Sequence, residues 1–265
     1  MDAISNSASR TALLEASGVS KSYGARIGCI DVSVTVGAGE VLGVVGESGS
    51  GKSTLMKCLS GQIVPDKGAV IYRGNDRKPV DVFSLSEMER RRLRRTDWGF
   101  VHQNPLDGLH INVSAGGNVG EALMSRGVRN YGSIRASAQD WLERLEIDPS
   151  RVDDRARSFS GGMLQRLQVA RNLVAAPRLV FMDEPTGGLD ASVQARLLDV
   201  LRTLVRELAV AVIIVTHDLA VVRLLADRLI VMHRGRVIEE GLTDQVLDDP
   251  HEPYTQLLVS SVLQI

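Results

Sequence analysis

The chain carries several short runs that are apolar at almost every position: Val41–Val45, 98–102, 179–182, 210–215 and 229–233. A strand wetted on one face alternates, so unbroken runs bounded by turn residues predict strands buried on both faces, as in a parallel sheet. Elsewhere the pattern takes a helical period. Ile134, Ala138, Trp141, Leu142 and Leu145 share one face, as do Leu164, Leu167, Ala170, Leu173 and Val174. Trp141 is therefore expected in the core and not at a ligand. From residue 179 onward strand and helix take turns, with helices at 192–208 and 220–227. That alternation predicts a parallel sheet covered by helices on both sides. Upstream, residues 13–36 alternate and break at Gly24 and Gly28 like short antiparallel strands, and 69–72 reads as another strand. Residues 84–95, SLSEMERRRLRR, predict a charged helix opened by a capping box from Ser84 to Glu87. Its five arginines suit a solvated face, or a surface for phosphate or an acidic partner. Residues 104–176 have the texture of a helical insertion. The expected fold class is α/β, a mainly parallel sheet flanked by helices, with an antiparallel β part and an α-helical part.

Where the apolar runs stop, residues suited to phosphoryl chemistry begin. Val41–Val45 leads into GESGSGKS at 46–53, followed by Thr54. This matches the phosphate-binding loop pattern, in which Gly46, Gly49 and Gly51 let the backbone wrap an anion. Successive N–H groups of the loop, through Glu47, Ser48 and Ser50, then face inward as a cradle. Lys52 can reach the β- and γ-phosphates, the Ser53 hydroxyl can ligate Mg2+, and the helix expected from Thr54 turns its positive end toward the same anion. The other runs end at Gln103, at Asp183 and Glu184, and at Thr216, His217 and Asp218. In open parallel sheets ligands collect beyond the carboxyl ends of the strands, so parallel neighbours would bring all these groups to one rim. There Asp183 would hold Mg2+ with Ser53 and Gln103, and Glu184 would orient or deprotonate a water. His217 would donate to the γ-phosphate, and Lys52 would neutralise developing charge. Taken alone, Gln103 reads better as a polar strand end; the other three strand ends reverse that. Ser160, Gly161 and Gly162 start a helix with a serine cap and bare N–H groups, a second potential anion site. Tyr23, in the hairpin region, is either an adenine-stacking ring or a half-buried strand tyrosine.

The totals narrow the setting. A chain of 265 residues can bury a substantial core, and a net charge of −1 supplies no global attraction to nucleic acid or acidic lipid. Cys29 and Cys58 have neither metal-ligand spacing nor the look of a disulfide framework, which suits a reducing cytoplasm. The polar start carries no secretion signal, and the longest apolar run, 208–215, is too short to cross a bilayer. The expectation is a cytoplasmic protein without direct membrane insertion and without a nucleic-acid partner.

Taken in order, Tyr23, GESGSGKS, Gln103, FSGGM, LVFMDEP, GGLD and His217 resemble the ATP-binding cassette ATPases across essentially the whole chain. The resemblance implies a P-loop NTPase fold in a single domain over 12–265, with a helical subdomain at about 104–176 and a flexible tail at 1–11. It also implies Mg-dependent hydrolysis of ATP, with ATP and Mg2+ as cofactors. Such cassettes pair head to tail, as a homodimer or as a heterodimer with a paralogous cassette. Ser160, Gly161 and Gly162 of one subunit would then close over the phosphates of the other, Asp190 would lie at the contact, and Tyr23 would stack on adenine. Met163 stands where the family usually has Gln, and Phe159 where it has Leu. HEPYTQLL, at 251–258, is similar to the C-terminal motif of dipeptide and oligopeptide importer ATPases. More specifically, GFVHQNPLDGL, VSAGGNVGEALM, FSGGMLQRLQVARNLV and PYTQLLVSSVLQ resemble the ATP-binding subunits of bacterial carbon-phosphorus lyase systems. That likeness implies docking on the soluble enzyme core that breaks down phosphonates, with the loop at 104–120 as the expected contact.

Overall fold

The computed structural model describes residues 12–74 and 78–262; the tail expected at 1–11 lies outside them. A long hairpin of β1 (Ala12–Tyr23) and β2 (Arg26–Gly37) opens the chain and is followed by β3 (Val41–Val45) and α1 (Lys52–Leu59). Next come β4 (Lys67–Tyr72), β5 (Val80–Asp81), α2 (Glu87–Thr96) and β6 (Trp98–Val101). Three helices fill the stretch before the next strand: α3 (Ala115–Ser125), α4 (Tyr131–Arg144) and α5 (Gly161–Leu173). Strand and helix then alternate through β7 (Leu179–Asp183), α6 (Ala191–Leu208), β8 (Ala211–Val215), α7 (Leu219–Leu225) and β9 (Arg228–His233). β10 (Arg236–Leu242), α8 (Thr243–Asp248) and α9 (Pro253–Val262) complete the described chain.

Two sheets result. One has the order β10-β9-β3-β8-β7-β6, with every pair parallel except the edge pair β9–β10. The other is antiparallel, in the order β2-β1-β4-β5. The unbroken apolar runs are explained by two cores, one on each face of the larger sheet. Val41 and Val45 of β3, Val180 and Met182 of β7, and Val212 and Ile214 of β8 face the core built with α4, α5, α6 and α7. Their neighbours Leu42, Val44, Leu179, Phe181, Ala211, Ile213 and Val215 face the core shared with α1 and the antiparallel sheet. Each fully buried aliphatic or phenyl side chain there contributes about 1.5–3 kcal/mol relative to exposure. Trp141, Leu142, Ala138, Ile134 and Leu145 are all buried, as their spacing predicts.

Three local readings are corrected. The capping box of α2 is Ser86 with Glu89, two residues beyond the predicted pair. The sequence satisfies the pattern in both registers; Ser84 is drawn off by a bond to the Asp81 carbonyl, and Glu87 by Arg90, Arg91 and Arg94. Gly28 is not a turn but lies within β2, where an added Cβ would stand 2.6 Å from the Thr54 side chain of α1. The first helix also starts at Lys52, two residues earlier than expected, with Gly51 as its left-handed cap.

Candidate active site

The four predicted rim strands are contiguous and parallel, in the order β3-β8-β7-β6. Their carboxyl ends surround a cavity of about 570 Å3. Ser48, Gly49, Gly51, Lys52, Ser53, Thr54, Gln103, Asp183, Glu184 and His217 all line it. Predicted residues as distant in the chain as Ser48 and His217 thus meet at one edge. A larger cavity, of about 720 Å3, opens at the opposite end of the strands beside Val41, Val212 and Arg206, without a comparable set of phosphate-binding groups. The larger volume is therefore not the better candidate; convergent chemistry decides.

The loop owes its shape to backbone crowding. A Cβ on Gly46 would sit 2.2 Å from the Met232 carbonyl oxygen, and one on Gly51 would sit 2.1 Å from that of Gly28. Both residues also have positive φ, 144° and 107°, so only glycine fits. Lys52 is buried, and its ammonium donates to the carbonyl oxygens of Gly46 and Glu47 at 2.6 and 2.8 Å. Burial pushes its pKa down, while the carboxylates of Glu184 and Asp183 oppose that. Gly46, Glu47 and Ser50 shape the loop without lining the cavity.

Glu184 is held on three sides. Thr216 Oγ1 and the His217 N–H donate to its two carboxylate oxygens at 3.0 and 3.1 Å, and His217 Nδ1 lies 2.7 Å away. Its φ of 44° puts a non-glycine residue in the left-handed region, a conformation costing of order 1–3 kcal/mol and concentrated at functional sites. The N–H of Glu184 donates to Val215 on β8, which ties the strained residue to the sheet. Beside it, burial and the Glu184 charge raise the pKa of Asp183 above the usual carboxylate value.

Gln103 is an exposed residue at the end of β6, and the chain just before it is clamped. Gln168, fully buried on α5, accepts from the His102 N–H at 2.6 Å and donates to the His102 carbonyl at 3.1 Å. Asn172, one turn on, accepts from Phe100 N–H at 2.7 Å. The sequence pattern shows the apolar stripe of this helix; the clamp lies on its amide face. The signal was present, because Gln165, Gln168 and Asn172 recur at helical spacing.

Other predicted residues lie apart from the cavity. Ser160, Gly161, Gly162 and Asp190 line a separate groove of about 350 Å3. Ser160 caps α5 by accepting from Met163 N–H, and Gly162 packs so closely on α6 that a Cβ would meet Val193 at 2.7 Å. Tyr23 is 46% exposed and outside the cavity wall, whereas Arg26, its partner across the hairpin, and Ile27 line it. Neither Arg26 nor Ile27 was singled out from sequence, since a charged and an apolar strand residue have no distinctive pattern there.

Comparison with known proteins accords with this geometry. Residues 29–187 match the family model for the ABC transporter. The chain is 62% identical to a phosphonates utilization ATP-binding protein, PhnK, of Escherichia coli strain K12, over 95% of its own length and 98% of that protein's. It is 35% identical to a peptide import ATP-binding protein of Brucella ovis, covering 95% of this chain and 79% of that protein. Among solved structures, the dimeric post-hydrolysis state of the ATP-binding cassette MJ0796 bound to ADP and Pi superposes with a TM-score of 0.77 at 28% identity, over 87% of this chain and 98% of that one. CbiO1 from Clostridium perfringens, part of the ABC transporter complex cbiONQ, gives 0.78 at 27% identity, over 96% of each chain. With ten rim residues in one cavity and a family match spanning more than half its length, the chain belongs to the ABC family of ATP-binding cassettes.

Proposed function

We propose that this chain is the ATP-hydrolysing subunit that serves a carbon-phosphorus lyase core in phosphonate catabolism, working as an ATP-driven dimer. The observation that carries this reading is the 62% identity, end to end, with a phosphonates utilization ATP-binding protein. The peptide-importer alternative rests on HEPYTQLL and on matches at about half that identity.

At the site, the loop N–H groups and Lys52 hold the triphosphate of ATP, and Tyr23 receives the adenine from outside the cavity wall. Ser53, Gln103 and Asp183 offer a hydroxyl, an amide oxygen and a carboxylate to one space, a hard-oxygen set. That set fits Mg2+, which keeps several waters and phosphate oxygens and needs no protein cage; among the described residues no group of three or more His, Cys, Asp or Glu could form one. The raised pKa of Asp183 marks a half-buried carboxylate on which burial and the Glu184 charge outweigh the nearby lysines, a place where a cation would be welcome. Mg2+, when bound, supplies charge neutralisation at the phosphates. Glu184 takes a proton from the attacking water as the water oxygen bonds the γ-phosphorus and the bond to ADP breaks. Thr216 orients that carboxylate, and His217 donates toward the γ-phosphate. Ser160, Gly161 and Gly162 act on the ATP of a partner cassette, with Asp190 at the seam. The partner is a second copy or a paralogous cassette.

The test is a pull-down with tagged chain, with and without a non-hydrolysable ATP analogue. Co-purification of the soluble carbon-phosphorus lyase core, changed by nucleotide, supports the reading. Recovery of membrane permease subunits alone overturns it. Among the described residues no helix is long and apolar enough to cross a membrane.

A further inference from the structure

The C-terminal segment reaches back to the phosphate loop at a specific atom. The Tyr254 hydroxyl, on α9, accepts a hydrogen bond from the Glu47 N–H at 3.0 Å. That N–H and the Gly46 carbonyl belong to one planar peptide unit, and the carbonyl end accepts from Lys52 Nζ at 2.6 Å. Rotating this peptide would break both bonds together. Tyr254 is itself fixed: its ring packs on His233, centroids 4.0 Å apart, at the end of β9. The start of α9 is pinned by Glu239 of β10, whose carboxylate accepts from the N–H groups of His251 and Glu252 at 2.7 and 3.2 Å. A second strut lies alongside, because Gly235 N–H in the β9–β10 turn donates to the Ser50 carbonyl at 2.8 Å. An ordinary tyrosine hydroxyl keeps its proton at neutral pH, and burial raises the pKa of Tyr254 further.

We infer that Tyr254 is a positioning residue for Lys52, holding the Gly46–Glu47 peptide so that the phosphate loop is pre-shaped before nucleotide arrives. The HEPYTQLL segment is then a brace on the nucleotide site. It makes loop order depend on the docking of α9, a helix with Leu257 left exposed. This inference rests on the ATPase reading for its effect on ATP, but its structural half can be tested without nucleotide.

Two measurements on Tyr254→Phe decide it. In nucleotide-free protein, hydrogen–deuterium exchange of a peptide containing Glu47 is expected to speed up about three- to tenfold, the effect of losing one net hydrogen bond. Equilibrium binding of a non-hydrolysable ATP analogue is expected to weaken by a similar factor, with KM for ATP raised by more than kcat is lowered. Glu239→Gln, which loosens the start of α9 and leaves the hydroxyl in place, should act in the same direction, and the double variant should be no worse than Tyr254→Phe alone. Wild-type exchange at Glu47 in Tyr254→Phe, or full additivity of the two substitutions, overturns the inference. Failure of the wild-type chain to bind ATP would instead refute the ATPase reading, while the exchange result would still stand.

Discussion

The rim cavity and the groove at Ser160 both open on a helix start with glycines, yet one is furnished with many converging charged groups and the other is nearly bare. In the cavity the key side chains already have partners: Lys52 bonds two loop carbonyls, and Glu184 has Thr216 and His217. At the groove, Ser160 caps its own helix, and the charged groups lining it beside Gly161 and Gly162 are Arg166 and Asp190, the latter without a cap bond. Under the proposed function, the difference is that between a whole phosphate grip and one half of a closed site. The dimeric state of the solved MJ0796 cassette fits that division.

The comparison can be broken from either side. The largest effect is expected for Lys52→Ala, which removes the cation inside the furnished cavity. ATP affinity should fall about a hundredfold, since a charge-assisted hydrogen bond is worth about 1.5–3 kcal/mol. Equilibrium dialysis measures it, and affinity within twofold of wild type would show that the cavity is not the grip. Ser160→Arg blocks the bare groove instead. It should leave ATP affinity of the single chain within twofold and lower steady-state hydrolysis about a hundredfold, the scale set by losing preorganised donors at developing charge. A parallel loss of affinity would mean that the two regions are not separate.

Smaller effects sharpen the link between the regions. Gln168→Leu strips both of its bonds from the His102 backbone and leaves a half-buried N–H without that partner, costing about 1–3 kcal/mol of stability in chemical denaturation. The same variant should loosen the Gln103 loop, visible as faster amide exchange after β6. Met163→Gln restores the residue more usual in such cassettes and should change hydrolysis by less than about threefold. Among the described residues, the hydrogen-bonding contact of the Met163 side chain is with Arg151 at 3.5 Å, a weak sulfur acceptor contact.

Much of this arrangement was readable before any coordinates. The continuous runs of β3, β7 and β8 foretold burial on both faces, because a strand serving two cores has no polar alternate position. The polar tips at Gln103, Asp183, Glu184 and His217 followed from the sheet being parallel, since parallel strands send all their carboxyl ends to one rim. What escaped was chemistry without a distinctive residue pattern. Ser84 and Ser86 satisfied the same capping motif, and only the turn at Asp81 chose between them. Gly28 looked like a turn because close approach to a helix and a reversal of the chain call for the same residue. The C-terminal hairpin was missed although Arg234 and Gly235, at φ 49° and 82°, form the two-residue turn that such a hairpin needs. Tyr254 stood in a recognised motif, but nothing in its neighbours could reveal a bond to a loop 207 positions away.

Glu184→Gln tests the central claim, that residues from four parallel strands assemble one ATP-hydrolysing centre, more directly than any other change. The amide keeps the shape and the bond from Thr216 but can no longer take a proton from water. Measured side by side, ATP binding with Mg2+ present should persist or tighten while turnover falls by about 10²–10⁴-fold, the contribution of a general base. Turnover within twofold of wild type, at equal ATP binding, would contradict the account.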